Sequence, residues 1–66
     1  MNIILNGQPH QVDAAITVAE LIDGLEIPRR GYAVEVNGSL VPRKSHNEYR
    51  LAADDRLEIV TLVGGG

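Results

Sequence analysis

Three places in this 66-residue sequence carry groups that could do chemistry: the carboxylate after Gly64-Gly65-Gly66, the neighbours Ser45-His46, and His10. Ser45-His46 does not make a catalytic dyad, because adjacent residues seldom point at one another and no acid stands ready to orient the imidazole. His10 falls on a candidate edge strand and His46 in a polar loop, and both are expected to be solvent-exposed rather than catalytic or metal-ligating. The chain has no cysteine, which excludes disulfides, thiolate metal sites and a cysteine nucleophile. The carboxylate of Gly66 remains. Glycine has no Cβ, so Gly64, Gly65 and Gly66 can enter a channel too narrow for any other residue. A carboxylate is a poor electrophile until its oxygen becomes a good leaving group, and cationic or metal-bound groups stabilise that change. The tail has neither, so a partner must supply them.

Three closing glycines also fit a frayed or added tail. Here they follow the apolar run Val60-Thr61-Leu62-Val63 with no spacer, which favours a presented terminus.

The elements that position the tail can be taken in chain order. Met1 to Leu5 is rich in apolar residues and meets Asn6-Gly7, a type I′ hairpin signal because both positions tolerate positive φ. A second strand follows near Gln8 to Val12, and Pro9 confines it to a sheet edge or a bulge. Thr17 and Glu20 have the spacing of a capping box, and Ile16 and Leu21 that of a hydrophobic staple, which makes Thr17 the N-cap. Val18, Leu21, Ile22 and Leu25 then fall on one face of an amphipathic helix, with Glu20, Asp23 and Glu26 off it, and Pro28 stops the helix or closely follows its end. Tyr32 to Val36 alternates like a half-buried strand, and Asn37-Gly38 turns it into Ser39-Leu40-Val41. Residues 43–50 predict a polar loop with one helical turn around Ser45 to Tyr49. Ala53-Asp54-Asp55 turns the chain into a last strand, Arg56 to Val63, whose apolar content suits the centre of a sheet.

A helix covering one face of a small sheet leaves the other bare. In the last strand Leu57 and Ile59 share one face, and Glu58, Val60 and Leu62 the other. Val60 and Leu62, together with Ile4, would form an exposed apolar partner-binding surface on that bare face. Val60 and Leu62 fit equally well as part of the core.

Composition narrows the classes of function. A chain of this length makes one domain with a simple core and little room for an enclosed active site. The net charge of −3 and the absence of Phe and Trp argue against nucleic-acid binding. The pairs Arg29-Arg30 and Arg43-Lys44 are expected to be solvated loops. Neither a signal peptide nor a membrane span is visible, so the chain is expected to be cytoplasmic and, when free, a monomer.

The order strand, strand, helix, strand, strand, irregular segment, strand resembles an α+β, ubiquitin-like β-grasp: a mixed sheet of four to five strands with one main helix packed on one face. Within that fold the sequence is similar to the sulfur carrier family of thiamine biosynthesis, the ThiS family, over essentially its whole length. The resemblance rests on Ala33-Val34-Glu35-Val36-Asn37-Gly38, Leu40-Val41-Pro42-Arg43, Leu51 to Asp55 leading into Leu57-Glu58-Ile59-Val60, and Val63-Gly64-Gly65-Gly66. One departure is Asp54, where the family often has glycine in an Asp-Gly-Asp turn. The resemblance implies a β-grasp domain over residues 1–63 and a flexible glycine tail over 64–66. It implies a protein cosubstrate rather than an enzyme, binding no cofactor or metal itself. An E1-like adenylyltransferase would activate the Gly66 carboxylate with ATP and magnesium, a donor such as a cysteine desulfurase would supply sulfur, and the resulting thiocarboxylate would deliver it to thiazole synthase. The alternatives left open are a carrier for molybdopterin or another sulfur-transfer pathway, and a non-carrier β-grasp module that binds proteins.

Overall fold

Alternating apolar residues and two Asn-Gly turns build most of the sheet. The computed structural model describes residues 1–28 and 31–61. Strand β1 (Asn2–Leu5) folds back on β2 (Gln8–Gln11) through Asn6 and Gly7, both at positive φ (49° and 82°) as a type I′ turn requires. Strand β3 (Tyr32–Val36) folds back on β4 (Ser39–Leu40) through Asn37 and Gly38 in the same way, at 52° and 86°. The last strand, β5 (Arg56–Thr61), lies between the two hairpins, giving the order β2-β1-β5-β3-β4. It runs parallel to β1, with Ile4 opposite Arg56 and Leu5 opposite Leu57, and antiparallel to β3 from Tyr32↔Thr61 to Val36↔Leu57. The sheet is therefore mixed, and the proline-bearing β2 lies at an edge, where Pro9 need not donate inward.

The two turn asparagines do more than turn the chain. Asn6 Oδ1 accepts from the Ile59 amide at 2.8 Å, continuing support of β5 past the last β1 pairing. Asn37 Oδ1 accepts from the Arg56 amide at 3.0 Å, while its Nδ2 donates to Asp55. Both ends of the hairpins thus hold backbone groups of the central strand. Asp54 sits at φ 69°, a left-handed position that glycine takes freely and aspartate tolerates.

Helix α1 (Val18–Asp23) covers one face of the sheet. The first amides of a helix have no partner within it, and here each has one outside. Glu20 N donates to Thr17 Oγ1 at 3.1 Å and Thr17 N to Glu20 Oε1 at 2.9 Å, the expected capping box. Val18 N donates to the carbonyl of Tyr49 and Ala19 N to that of His46. The helix is shorter than expected: it ends at Asp23 with Gly24 as C-cap, four residues ahead of Pro28, and Leu25 lies beyond it. Gly24 is a poor helix former, and the last turn carries Asp23 and no basic residue, so the helix dipole gains nothing from continuing. Leu25 still packs against the core from the following turn.

Residues 43–50 also differ from expectation. The helical turn begins two residues earlier, as a 3₁₀ segment α2 (Arg43–Ser45) directly behind Pro42, and irregular turns continue to Tyr49. Nor is this stretch merely solvated. His46 is only 7% exposed, its Nε2 is 3.1 Å from the Val41 carbonyl, and its ring centroid is 6.2 Å from that of Tyr32. The expectation of an exposed histidine failed because the polar residues around it hide the role of its backbone. The His46 carbonyl caps the helix, which draws the side chain inward. The core between sheet and helix consists of Ile3, Val18, Leu21, Val34, Val36, Val41, Leu51 and Leu57. No described helix is long and apolar enough to cross a membrane.

Candidate functional site: the open sheet face and the root of the tail

Strand pairing determines which side chains share the uncovered face. Opposed residues in a sheet point the same way, so Ile4, Pro9, Ala33, Glu35, Leu40, Arg56, Glu58 and Val60 all lie on the side away from the helix. The alternation in β5 is clear: Leu57 is buried and Ile59 packs on the core, while Glu58 and Val60 are exposed. Val60 is 46% exposed, which settles its place outside the core. Ile4 is half-buried on the same face, opposite Pro9 and beside Arg56. It does not join Val60 in one patch, because Arg56 is four residues before Val60, a separation of about 13 Å along the strand with Glu58 between them.

One apolar side chain on this face escaped the sequence reading. Leu40 is 64% exposed, beside Glu35 on β4. The signal was present in Ser39-Leu40-Val41, where alternation sends Val41 into the core and Leu40 outward.

Leu62, Gly64, Gly65 and Gly66 lie outside the described residues. Their approach is described. Thr61 pairs with Tyr32, so the strand leading to the tail is held to β3 along its whole length and to β1 at its start. Arg43 stands at this end of the molecule, its guanidinium carbon 4.9 Å from the centre of the Tyr32 ring, a cation–π distance. The sequence places Arg43 in a solvated loop and Tyr32 at the start of a strand, and local patterning does not show their contact because it joins positions eleven apart.

The inventory of reactive groups offers little else. His10 is half-buried on edge strand β2, and His46 is committed to Val41. Among the described residues no three His, Cys, Asp or Glu side chains gather as a metal site. Glu20 is held below the usual glutamate range by hydrogen bonds from the Thr17 backbone and side chain, and it serves the helix cap.

Comparison with known proteins agrees with this architecture. The model of the ThiS family matches residues 3–66. The crystal structure of a thiamine biosynthesis protein (ThiS) from Geobacter metallireducens superposes with a TM-score of 0.85 at 30% identity, covering all of both chains. The sulfur carrier protein ThiS of Escherichia coli is 30% identical, again over the full length of both. Proteins named thiazole synthase from Magnetococcus marinus and Paramagnetospirillum magneticum are 39% and 36% identical over the whole chain, which spans only 20% of their length.

Proposed function

The chain belongs to the ThiS family, and from that premise we propose that it carries sulfur for thiamine biosynthesis on the terminal carboxylate of Gly66. The observation that carries this reading is the position of β5. A central strand, paired on both sides and tied by Asn6 and Asn37, leads directly toward three glycines. A rigid base with a side-chain-free arm suits delivery of an acyl group into another protein's active site.

In this reading the chain is a cosubstrate and supplies no catalytic side chain. An E1-like adenylyltransferase, using ATP and magnesium, joins the Gly66 carboxylate to AMP with release of pyrophosphate. The acyl carbon then has a good leaving group. The outer sulfur of a persulfide on a donor such as a cysteine desulfurase displaces AMP to give an acyl disulfide. A second thiolate then attacks the donor-side sulfur, so that the terminus leaves as a thiocarboxylate and the donor and the thiol are left joined as a disulfide. Thiazole synthase accepts the sulfur, and the carrier's carboxylate is regenerated. Two relatives named thiazole synthase contain a segment like this whole chain, which supports that enzyme as a partner. Val60 and Leu62, with Ile4 farther along the face, provide apolar contact for these partners while Gly64 to Gly66 enter the active site.

The test is intact-mass analysis after incubation with the adenylyltransferase, ATP, magnesium and a sulfur donor. A sulfur-for-oxygen exchange localised to Gly66 is expected, and deletion of Gly66 is expected to abolish it with the fold intact. Undiminished adenylation of the deletion variant would refute the reading.

A further inference from the structure

Across the middle of the open face, Glu35 on β3 and Glu58 on β5 are directly opposed. Opposed residues in a sheet have Cβ atoms about 5 Å apart, and like charges there weaken the pairing. Neither carboxylate takes part in the side-chain hydrogen bonds found among the described residues. Arg56 shares the face two positions before Glu58, beside Ile4, and sets one positive charge against the two negative ones. The surroundings are apolar on the other flanks: Val60 and Ala33 form the next pair toward the tail, and the exposed Leu40 lies opposite Glu35 on the outer strand. Folding gains nothing from two facing glutamates at the centre of a ladder that favours β-branched residues.

We propose that this open face docks the adenylating enzyme through a lysine or arginine that seats between Glu35 and Glu58, with Val60 and Leu40 closing an apolar rim around the contact. The inference rests on the carrier reading and deepens it. The sign of the partner follows from the chemistry. An enzyme that brings ATP and a carboxylate together handles two anions and needs an electropositive entrance. The carrier is itself anionic, at −3 overall, and its acidic pair lies on the strand that leads to the reacting end. Gly66 lies only eight positions after Glu58, on the order of 28 Å of chain at full stretch, so an enzyme gripping this face can still reach the carboxylate. A cation brought to the pair removes the repulsion present in the free carrier, and the apolar rim excludes water from the charge-assisted hydrogen bonds it makes.

The experiment compares the wild-type chain with Glu35→Gln, Glu58→Gln and the double variant in ATP–pyrophosphate exchange catalysed by the adenylyltransferase. KM, kcat and salt dependence are measured alongside thermal unfolding of each free carrier. The double variant is expected to raise KM about tenfold at low salt with kcat unchanged. Each single variant is expected to account for more than half of the loss on the free-energy scale, because one cation serves both carboxylates. The KM of the double variant is expected to depend less steeply on salt, and its melting temperature to equal or exceed that of wild type. A double-variant KM within about twofold of wild type overturns this inference and leaves the carrier reading standing, and so does a melting temperature clearly below wild type. Absence of exchange with the wild-type chain overturns both.

Discussion

Replacing Thr17 tests how this small fold holds its helix, and the structure sets the size of the effect. A six-residue helix is too short to be stable by itself. Its four leading amides depend on the Thr17–Glu20 box and on the carbonyls of His46 and Tyr49. Thr17→Ala removes the Oγ1 that accepts from Glu20 N at 3.1 Å, a loss of about 1 kcal/mol for an N-cap. It also removes a methyl group from a residue only 6% exposed, worth about 0.8 kcal/mol. The sum, about 2 kcal/mol, corresponds to a fall in melting temperature of about 8–16 °C for a domain of this size. Thermal and urea unfolding followed by circular dichroism would measure it. Two further variants separate the terms: Thr17→Ser keeps the cap and loses only the methyl, and Thr17→Val keeps the methyl and loses the cap. Each should lie about midway between wild type and Thr17→Ala. A Thr17→Val protein as stable as wild type would refute the capping argument, since packing alone would then explain the residue.

Val60→Ser leaves the charge of the open face unchanged and should lower the melting temperature by less than about 5 °C, while weakening binding to the adenylating enzyme about tenfold or more. A larger thermal loss with unchanged binding would make Val60 a structural residue. His46→Ala should cost about 2 kcal/mol or more in denaturant unfolding, because it leaves the Val41 carbonyl without its partner and opens a gap beside Tyr32; a loss under about 0.5 kcal/mol would be that of an ordinary surface residue. Glu20 titrates below its ordinary value of 4.5, so its contribution is complete above the unfolded-state value and is lost as pH falls through the lower folded-state value. The stability difference between wild type and Glu20→Gln should therefore stay level from about pH 8 to about pH 5 and shrink in more acid solution. A difference that grows on acidification would contradict the capping role.

Local signals in this chain were legible because their physics is local. Asn6-Gly7 and Asn37-Gly38 turn the chain since positive φ is a property of those residues themselves, and Thr17 with Glu20 caps the helix since the spacing alone brings the groups together. Pro9 assigned β2 to an edge before any pairing was known, and the apolar run of β5 assigned it to the centre. The helix end was misjudged because Pro28 is a louder stop signal than Gly24, although the chain leaves the helix at the first weak residue once its dipole is unsupported.

What only the tertiary structure decided is which side chains meet across segments distant in sequence. His46 looked like a loop histidine and is buried, because the carbonyl beside it caps a helix that begins 28 positions earlier. Val60 could have been core or surface; the helix covers the face of Leu57 and Ile59, and Val60 is left outside with Leu40. Glu35 and Glu58, 23 positions apart, face one another only because β3 and β5 pair in one register. The sequence by itself determined the turns, the cap, the edge strand and the family to which the glycine tail belongs, since each is written in neighbouring residues. The composition of the open face came from strand register, which is a property of the whole sheet.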